Sequence, residues 1–258
     1  MRKHLLITMA LGALVALTVA GVAVAAKDTV VRAGDLEITI DGSSGVTPKA
    51  LSKSKYTPIA FTAAGSVRSL NAAEPQPPAL KEVQLNAPNT AVDVKGYPVC
   101  KSSELQARDT NAVKKACGPA LIGTGLTTVS IKFPEQAPIP AKSPLLVFNG
   151  GVSGGTTTFY IHAYLTQPVT TAIVTTVKIK KAGTGLKSVT SVPVIAGGAG
   201  SVKDFSLKID KKFTYKGKKV SVLSAKCVGG KISADVTAVF RDNSKLKANV
   251  VRVCTPKP

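Results

Sequence analysis

The feature that most constrains the fold of this chain is an alternation of apolar and polar residues in several separate segments. In residues 36–41, 128–133, 204–209 and 231–241, apolar and polar side chains alternate almost without interruption. Because successive side chains of a strand point to opposite faces of a sheet, this pattern predicts strands with one face in a core and one in water. Weaker candidates lie at residues 56–66, 82–94, 144–148, 159–165, 172–180 and 186–195.

The connections between these segments are typical of hairpins. Residues 215–218 and 241–244 combine Gly, Asn and Asp in the way that tight turns require. Ten or more strands without a strand–helix–strand rhythm predict an all-β fold, either an antiparallel β-sandwich or a jelly-roll-like arrangement. We expect residues 26–258 to form a single β-rich domain, with a shift in composition and charge at residues 196–200 as the alternative boundary between two domains.

One short helical insertion is expected near residues 102–117. Ser102 and Ser103 can begin a first turn, and Asp109 can cap a second one that ends at Gly118.

The N-terminus has the pattern of a secretory signal peptide. A short positive stretch ending at Lys3 precedes an uncharged run from Leu5 to Ala26, and Ala23-Val24-Ala25 has small residues where a signal peptidase needs them. We expect residues 1–25 to be a signal peptide cleaved after Ala25. The alternative is an uncleaved membrane anchor, because about 20 apolar residues can span a bilayer.

Four cysteines follow the predicted cleavage site: Cys100, Cys117, Cys227 and Cys254. An even number in an exported chain predicts disulfides, and among three possible pairings the two local ones, Cys100–Cys117 and Cys227–Cys254, are favoured. If the last three strands form a meander, one strand lies between Cys227 and Cys254, and their Cα atoms would be roughly 9.5 Å apart. A disulfide needs less than about 7 Å, so either both cysteines lie beyond the strand ends or the first strand joins another sheet.

The charge is strongly positive and unevenly distributed. The chain carries a net charge of +20, which becomes +18 without Arg2 and Lys3. Residues 178–258 contain 18 basic and 4 acidic residues, whereas residues 27–177 contain 14 basic and 10 acidic residues. Such a field attracts anionic surfaces and polymers, although lysines also keep edge strands soluble. The candidate binding lysines are Lys211, Lys212, Lys216, Lys218 and Lys219.

The basic residues are mostly lysine, 28 against 6 arginines. Arginine provides the bidentate fork that specific phosphate recognition favours, so nucleic acid is not an expected partner.

Two patterns suggest chemistry. Residues 151–155 fit the G-x-S-x-G motif of serine hydrolases around Ser153, but a strand rather than the helix of that motif follows. Tyr160, His162 and Tyr164 share one face of a predicted strand and could bind a ligand, and His162 could act as a base. No metal site or cofactor is expected, since a Cys-x-x-Cys motif is missing and His162 is far in sequence from every cysteine.

A set of short segments resembles a family of secreted bacterial proteins of unknown function. The resemblance covers about residues 98–254, and its motifs are mainly turn glycines and cysteines. It implies export, four paired cysteines and a β-rich domain, and it implies no catalytic residues. The segments are Val99-Cys100, Ala116-Cys117-Gly118, Ala120-Leu121-Ile122-Gly123-Thr124-Gly125, Phe148-Asn149-Gly150, His162, Ala196-Gly197-Gly198, Leu223-Ser224-Ala225-Lys226-Cys227 and Cys254.

We therefore expect an exported, non-enzymatic protein that is associated with the cell envelope and has a binding or structural role. Its basic C-terminal third would face an anionic cell-wall polymer or a membrane surface. The alternative is a secreted serine-type hydrolase that uses Ser153 and His162. A third possibility is a module that presents Tyr160, His162 and Tyr164 to a small-molecule or protein partner.

Overall fold

The structure is a computed structural model that describes residues 27–258, so the signal peptide predicted at residues 1–25 lies outside the described residues. Strands make up most of the described chain. It also has one α-helix, α1 (Thr110–Cys117), and three short 3-10 turns at Ser102–Glu104, Gly118–Ala120 and Ala196–Gly198. The strands are β1 (Thr29–Ala33), β2 (Leu36–Ile40), β3 (Gly45–Thr47), β4 (Ala50–Ser52), β5 (Thr57–Ser69), β6 (Leu80–Ala87), β7 (Thr90–Val92), β8 (Leu121–Ile131), β9 (Ile139–Ser153), β10 (Thr156–Leu165), β11 (Thr171–Ala182), β12 (Gly185–Ser191), β13 (Gly200–Ile209), β14 (Lys212–Tyr215), β15 (Lys218–Ser221), β16 (Leu223–Ala225), β17 (Lys231–Phe240), β18 (Lys245–Val253) and β19 (Thr255–Lys257).

Fifteen strands form one continuous antiparallel sheet, which confirms the predicted all-β class. Its order is β1-β2-β5-β13-β8-β9-β10-β11-β12-β6-β17-β18, with β3 and β16 paired to β5 and β7 paired to β16. The two edge strands, β1 and β18, lie next to each other. The sheet therefore curls until its ends meet, and its facing layers come from one folded sheet.

The core fills the space inside the curled sheet. Alternating residues of the strands point inward, as the sequence pattern predicts, and the large side chains Ile122, Val147 and Phe159 are almost completely buried there. Ile131 and Leu165 extend the same core toward the other end of the strands. Burying such side chains stabilises the fold by about 1.5–3 kcal/mol each.

A small group of elements closes one end of this core. The hairpin of β14 and β15 packs Phe213 against Tyr97, with ring centroids 4.9 Å apart. The Tyr97 hydroxyl donates to the carbonyl oxygen of Leu121 at the start of β8. The ring of Tyr215 lies over Gly96, where a Cβ atom would come within 2.2 Å of it. The end of the core is thus sealed by aromatic side chains.

The helical insertion lies on the outer face of the sheet, over β9 and β10. The Asp109 carboxylate accepts hydrogen bonds from the backbone N–H groups of Asn111 and Ala112, both at 2.8 Å, as predicted for its cap. Leu105 and Val113 are buried against Phe148 and neighbouring side chains of the sheet. The Cys100–Cys117 disulfide, with Cα atoms 5.4 Å apart, joins the two ends of the insertion.

The second predicted disulfide, Cys227–Cys254, is also present, with Cα atoms 5.9 Å apart. The meander assumed for this region differs from the structure in its first strand. That strand, β16, pairs with β5 and β7, whereas β17 lies between β6 and β18. Both cysteines lie outside the strands, so no strand separates them.

Candidate functional site

Tyr160, His162 and Tyr164 share the outer face of β10, as their alternation predicts. Tyr160 lies opposite Phe148 and His162 opposite Leu146 in the pairing of β10 with β9. The helical insertion covers this face, so the His162 side chain has no exposed surface, while both tyrosines are partly exposed. The strip is therefore interrupted at its centre, and a ligand would have to displace the insertion to reach the imidazole.

The His162 ring is held by a single hydrogen bond. Its Nε2 lies 3.0 Å from the carbonyl oxygen of Arg108. A carbonyl can only accept, so Nε2 carries the proton and Nδ1 is an acceptor. Among residues 27–258 nothing donates to Nδ1. Burial lowers the pKa of His162, and the bond to Arg108 and the nearby Asp109 carboxylate offset part of this effect.

Ser153 is not brought near His162. It is exposed and lies opposite Thr156 across the Gly154-Gly155 turn between β9 and β10. His162 lies six residues farther along β10, which corresponds to roughly 20 Å at the usual rise of a strand. Direct activation of the Ser153 hydroxyl requires hydrogen-bond distance, so the pair does not form a nucleophile and base in this structure.

The five candidate lysines are placed together on one hairpin and its flanks. Lys212 and Lys219 lie on one face of it, opposite Ser221 and Thr214. Phe213 and Tyr215 lie on the other face and pack against Tyr97 and Gly96. All five lysines are exposed and belong to β14, β15 or their immediate flanks. They are Lys211, Lys212, Lys216, Lys218 and Lys219.

A second basic feature, which the sequence did not indicate, surrounds Tyr56. Tyr56 is 39 % exposed, and its hydroxyl donates to the carbonyl oxygen of Thr184 at 2.6 Å. The Lys226 ammonium lies 4.4 Å from the centre of the ring, within the range of a cation–π interaction. The three residues are far apart in the chain, so no local pattern could have revealed the contact.

Two shallow cavities are present elsewhere. One, of about 220 Å³, lies beside Gln106, Ala107 and the start of β11. The other, of about 270 Å³, is bordered by Leu126, Lys142 and Phe205. Neither is lined by Ser153 or His162. Within the described chain, no three His, Cys, Asp or Glu residues are grouped closely enough to hold a metal ion.

No protein-family model matches this chain, and neither a curated protein nor a solved structure shows significant similarity to it. The paired cysteines and the β-rich domain that the resemblance implied are present in the structure. Membership of a secreted bacterial family remains a prediction.

Among residues 27–258, no helix is long and apolar enough to cross a membrane. The two disulfides suggest an oxidising, extracytoplasmic environment, because thiols in a reducing cytoplasm stay reduced.

Proposed function

We propose that this protein is exported, loses residues 1–25, and binds an anionic surface of the cell envelope through exposed lysines without catalysing a reaction. The observation that carries the proposal is that almost none of the lysines that the structure describes is paired with an acidic side chain. Within the described residues, Lys208 is the only lysine that forms an ion pair, with Asp210 at 2.7 Å. The other described lysines have no acidic partner within residues 27–258, so their charges are available to external anions.

The position of the hairpin lysines supports the same function. Residues 211–221 contain five lysines and no acidic residue, and all five side chains are exposed. Lysine presents a compact, mobile charge without the planar fork of arginine. This suits adsorption to many distributed anionic groups better than recognition of a single one.

The arrangement of Ser153 and His162 supports a non-enzymatic role. His162 lies roughly 20 Å along β10 from Thr156, the residue opposite Ser153, and the helical insertion covers its side chain. The paired cysteines support an extracytoplasmic location, in agreement with the signal peptide expected from the sequence.

Salt dependence of envelope binding tests the proposal. The protein comprising residues 26–258 is mixed with isolated bacterial envelopes at about 0.05 M and about 0.5 M NaCl, and the bound fraction is measured by sedimentation. We expect most of the protein to sediment at low salt and to be released at high salt, because salt screens exposed charges. Binding that is unchanged by salt would contradict the electrostatic mechanism.

A further inference from the structure

The strand register shows which charged residues lie at each of the two ends of the curled sheet. The turn between β11 and β12, from Ala182 to Gly185, lies beside Ala87 at the end of β6. The end of β13 at Ile209 lies between Gly123 at the start of β8 and Phe61 near the start of β5. We call this end the lysine end. It comprises residues 49–57, 87–97, 149–156, 180–187, 208–231 and 255–257.

The opposite end contains the turns and strand termini at the other end of the same strands. There β8 leads into β9, β10 into β11, β12 ends, β6 begins, and β17 turns into β18. The residues of this opposite end are 32–37, 68–82, 131–140, 165–172, 190–204 and 240–245.

The two ends differ sharply in charge. The lysine end contains sixteen lysines and two aspartates, a net charge of +14, and one aspartate, Asp210, is already paired with Lys208. The opposite end contains seven basic and seven acidic residues and is neutral. Most of the excess positive charge therefore lies on one of the two ends.

Long-range contacts build the lysine end. Parallel pairing of β19 with β4 places Lys257 beside Ser52, and the Lys53 N–H donates to the Lys257 carbonyl oxygen. The Lys226 N–H donates to the carbonyl oxygen of Asn89, which holds Lys226 beside the end of β6. Lysines from the beginning, middle and end of the described chain thus meet on one surface.

We infer that this protein docks end-on, through its lysine end, onto the headgroup surface of a bilayer that contains anionic phospholipids. The inference rests on the proposed function and adds the partner and the orientation. When a molecule has a net charge of +14 at one end and none at the other, the field of an anionic surface orients the charged end toward that surface. The strands would then stand at a steep angle to that surface, with the neutral end facing away.

The shape of the lysine end favours a broad surface over a single polymer chain. Its lysines are spread over the β11–β12 turn, the β14–β15 hairpin and the loop before β5. A site for one polyanionic chain needs a continuous groove, whereas these lysines belong to separate turns and loops. Anionic headgroups, by contrast, attract lysines individually wherever these come within a Debye length of the surface.

Matched charge removal tests the docking. The variant K211Q/K212Q/K219Q removes three charges from the lysine end, and K81Q/K203Q/K245Q removes three from the opposite end. Binding of residues 26–258 to vesicles with about 30 % phosphatidylglycerol in phosphatidylcholine is measured by sedimentation. We expect at least a tenfold weaker affinity for the lysine-end variant and less than a twofold change for its control. Thermal unfolding of all three proteins verifies that both variants fold.

A footprint on the wild-type protein provides a second readout that needs no variant. Acetylation of lysines by a water-soluble reagent, with and without vesicles, is read by peptide mass spectrometry. We expect protection of Lys212, Lys219 and Lys226 and unchanged labelling of Lys81 and Lys245. Equal protection at both ends would overturn the end-on orientation.

The remaining outcomes separate the inference from the proposed function. Equal loss of affinity in the two variants leaves charge-driven binding intact and overturns the role of the lysine end. Binding to long-chain polyphosphate but not to the vesicles overturns the assignment of a lipid partner. A wild-type protein that binds neither vesicles, polyphosphate nor envelopes overturns the proposed function as well.

Discussion

At the scale of single residues, His162 is an ionisable side chain in a place that suits only its neutral form. Its ring is fully buried, Nε2 donates to the Arg108 carbonyl oxygen, and Nδ1 has no partner among residues 27–258. A second proton would have to bind at Nδ1. The nearby Asp109 carboxylate favours the charged ring, but burial disfavours it more, so the pKa of His162 is lowered.

This lowered pKa makes the stability of the fold depend on pH. Above the ordinary histidine pKa of about 6.5, the ring is neutral in both the folded and the unfolded protein. There the free energy of unfolding does not depend on its protonation. Below this pKa, the unfolded chain binds a proton that the folded protein does not bind. The free energy of unfolding therefore decreases as the pH falls from about 6.5 toward the folded pKa, by at most about 1.4 kcal/mol per pH unit.

The variant H162Q tests this dependence, because glutamine can still donate to Arg108 and does not titrate. We expect the wild-type protein to lose more stability than H162Q between about pH 7 and pH 5, measured by urea unfolding. Only the slopes with pH are compared, so a constant loss of stability in the variant does not matter. Parallel slopes, or a single-histidine NMR titration of residues 26–258 with a pKa above 6.5, would contradict the account.

Alternation correctly predicted that Tyr160, His162 and Tyr164 share a face of β10. It could not predict which segment covers that face, because the pattern of a strand is the same whether helix, sheet or water lies against it. The contact of Lys226 with Tyr56 could not be predicted from the sequence either, since it depends on how distant strands pair. Local rules thus give the direction of a side chain but not its surroundings.

At the scale of elements, the helical insertion is a small unit fastened to the outside of the sheet. Its hydrophobic contacts are Leu105 and Val113, and the Cys100–Cys117 disulfide joins its ends. A loop of this length, with the cysteines 17 positions apart, lowers the entropy of the unfolded chain by an amount worth about 3 kcal/mol. The same bond links the two ends of the segment that covers His162.

The variant C100S/C117S should therefore change two quantities together. We expect its free energy of unfolding to fall by about 3 kcal/mol, measured by urea unfolding. We also expect the pKa of His162 to move toward its ordinary value as the insertion opens and water reaches the ring. The matched control is C227S/C254S, which removes a disulfide elsewhere and should leave the pKa of His162 unchanged in the folded protein. A stability loss with no change in the His162 pKa would show that the disulfide does not hold the cover.

Short-range signals account for the elements that were predicted well. The turn at Lys216-Gly217 forms the β14–β15 hairpin, and Asp109 caps α1. The position of β16 beside β5 and β7 was not predictable in the same way. A short strand carries no signal for its partner, and these partners lie far away in the sequence.

At the scale of the whole molecule, the sequence established the class of the fold and the excess of charge but not their geometry. Alternation and turn chemistry predict antiparallel strands, and they cannot show that β1 and β18 come together so that one sheet encloses the core. In the sequence, the positive charge belongs to the C-terminal third. In the structure, Lys53 and Lys55 from the N-terminal half join Lys226 and Lys257 at one end.

The central claim is that this chain leaves the reducing cytoplasm and is then braced by two disulfides. The most direct measurement is the intact mass of the protein made from the full-length gene in a bacterial host that exports proteins, after thiol alkylation without reduction. We predict the mass of residues 26–258 less four hydrogens, with no alkyl group attached. The mass of residues 1–258 carrying four alkyl groups would contradict the claim.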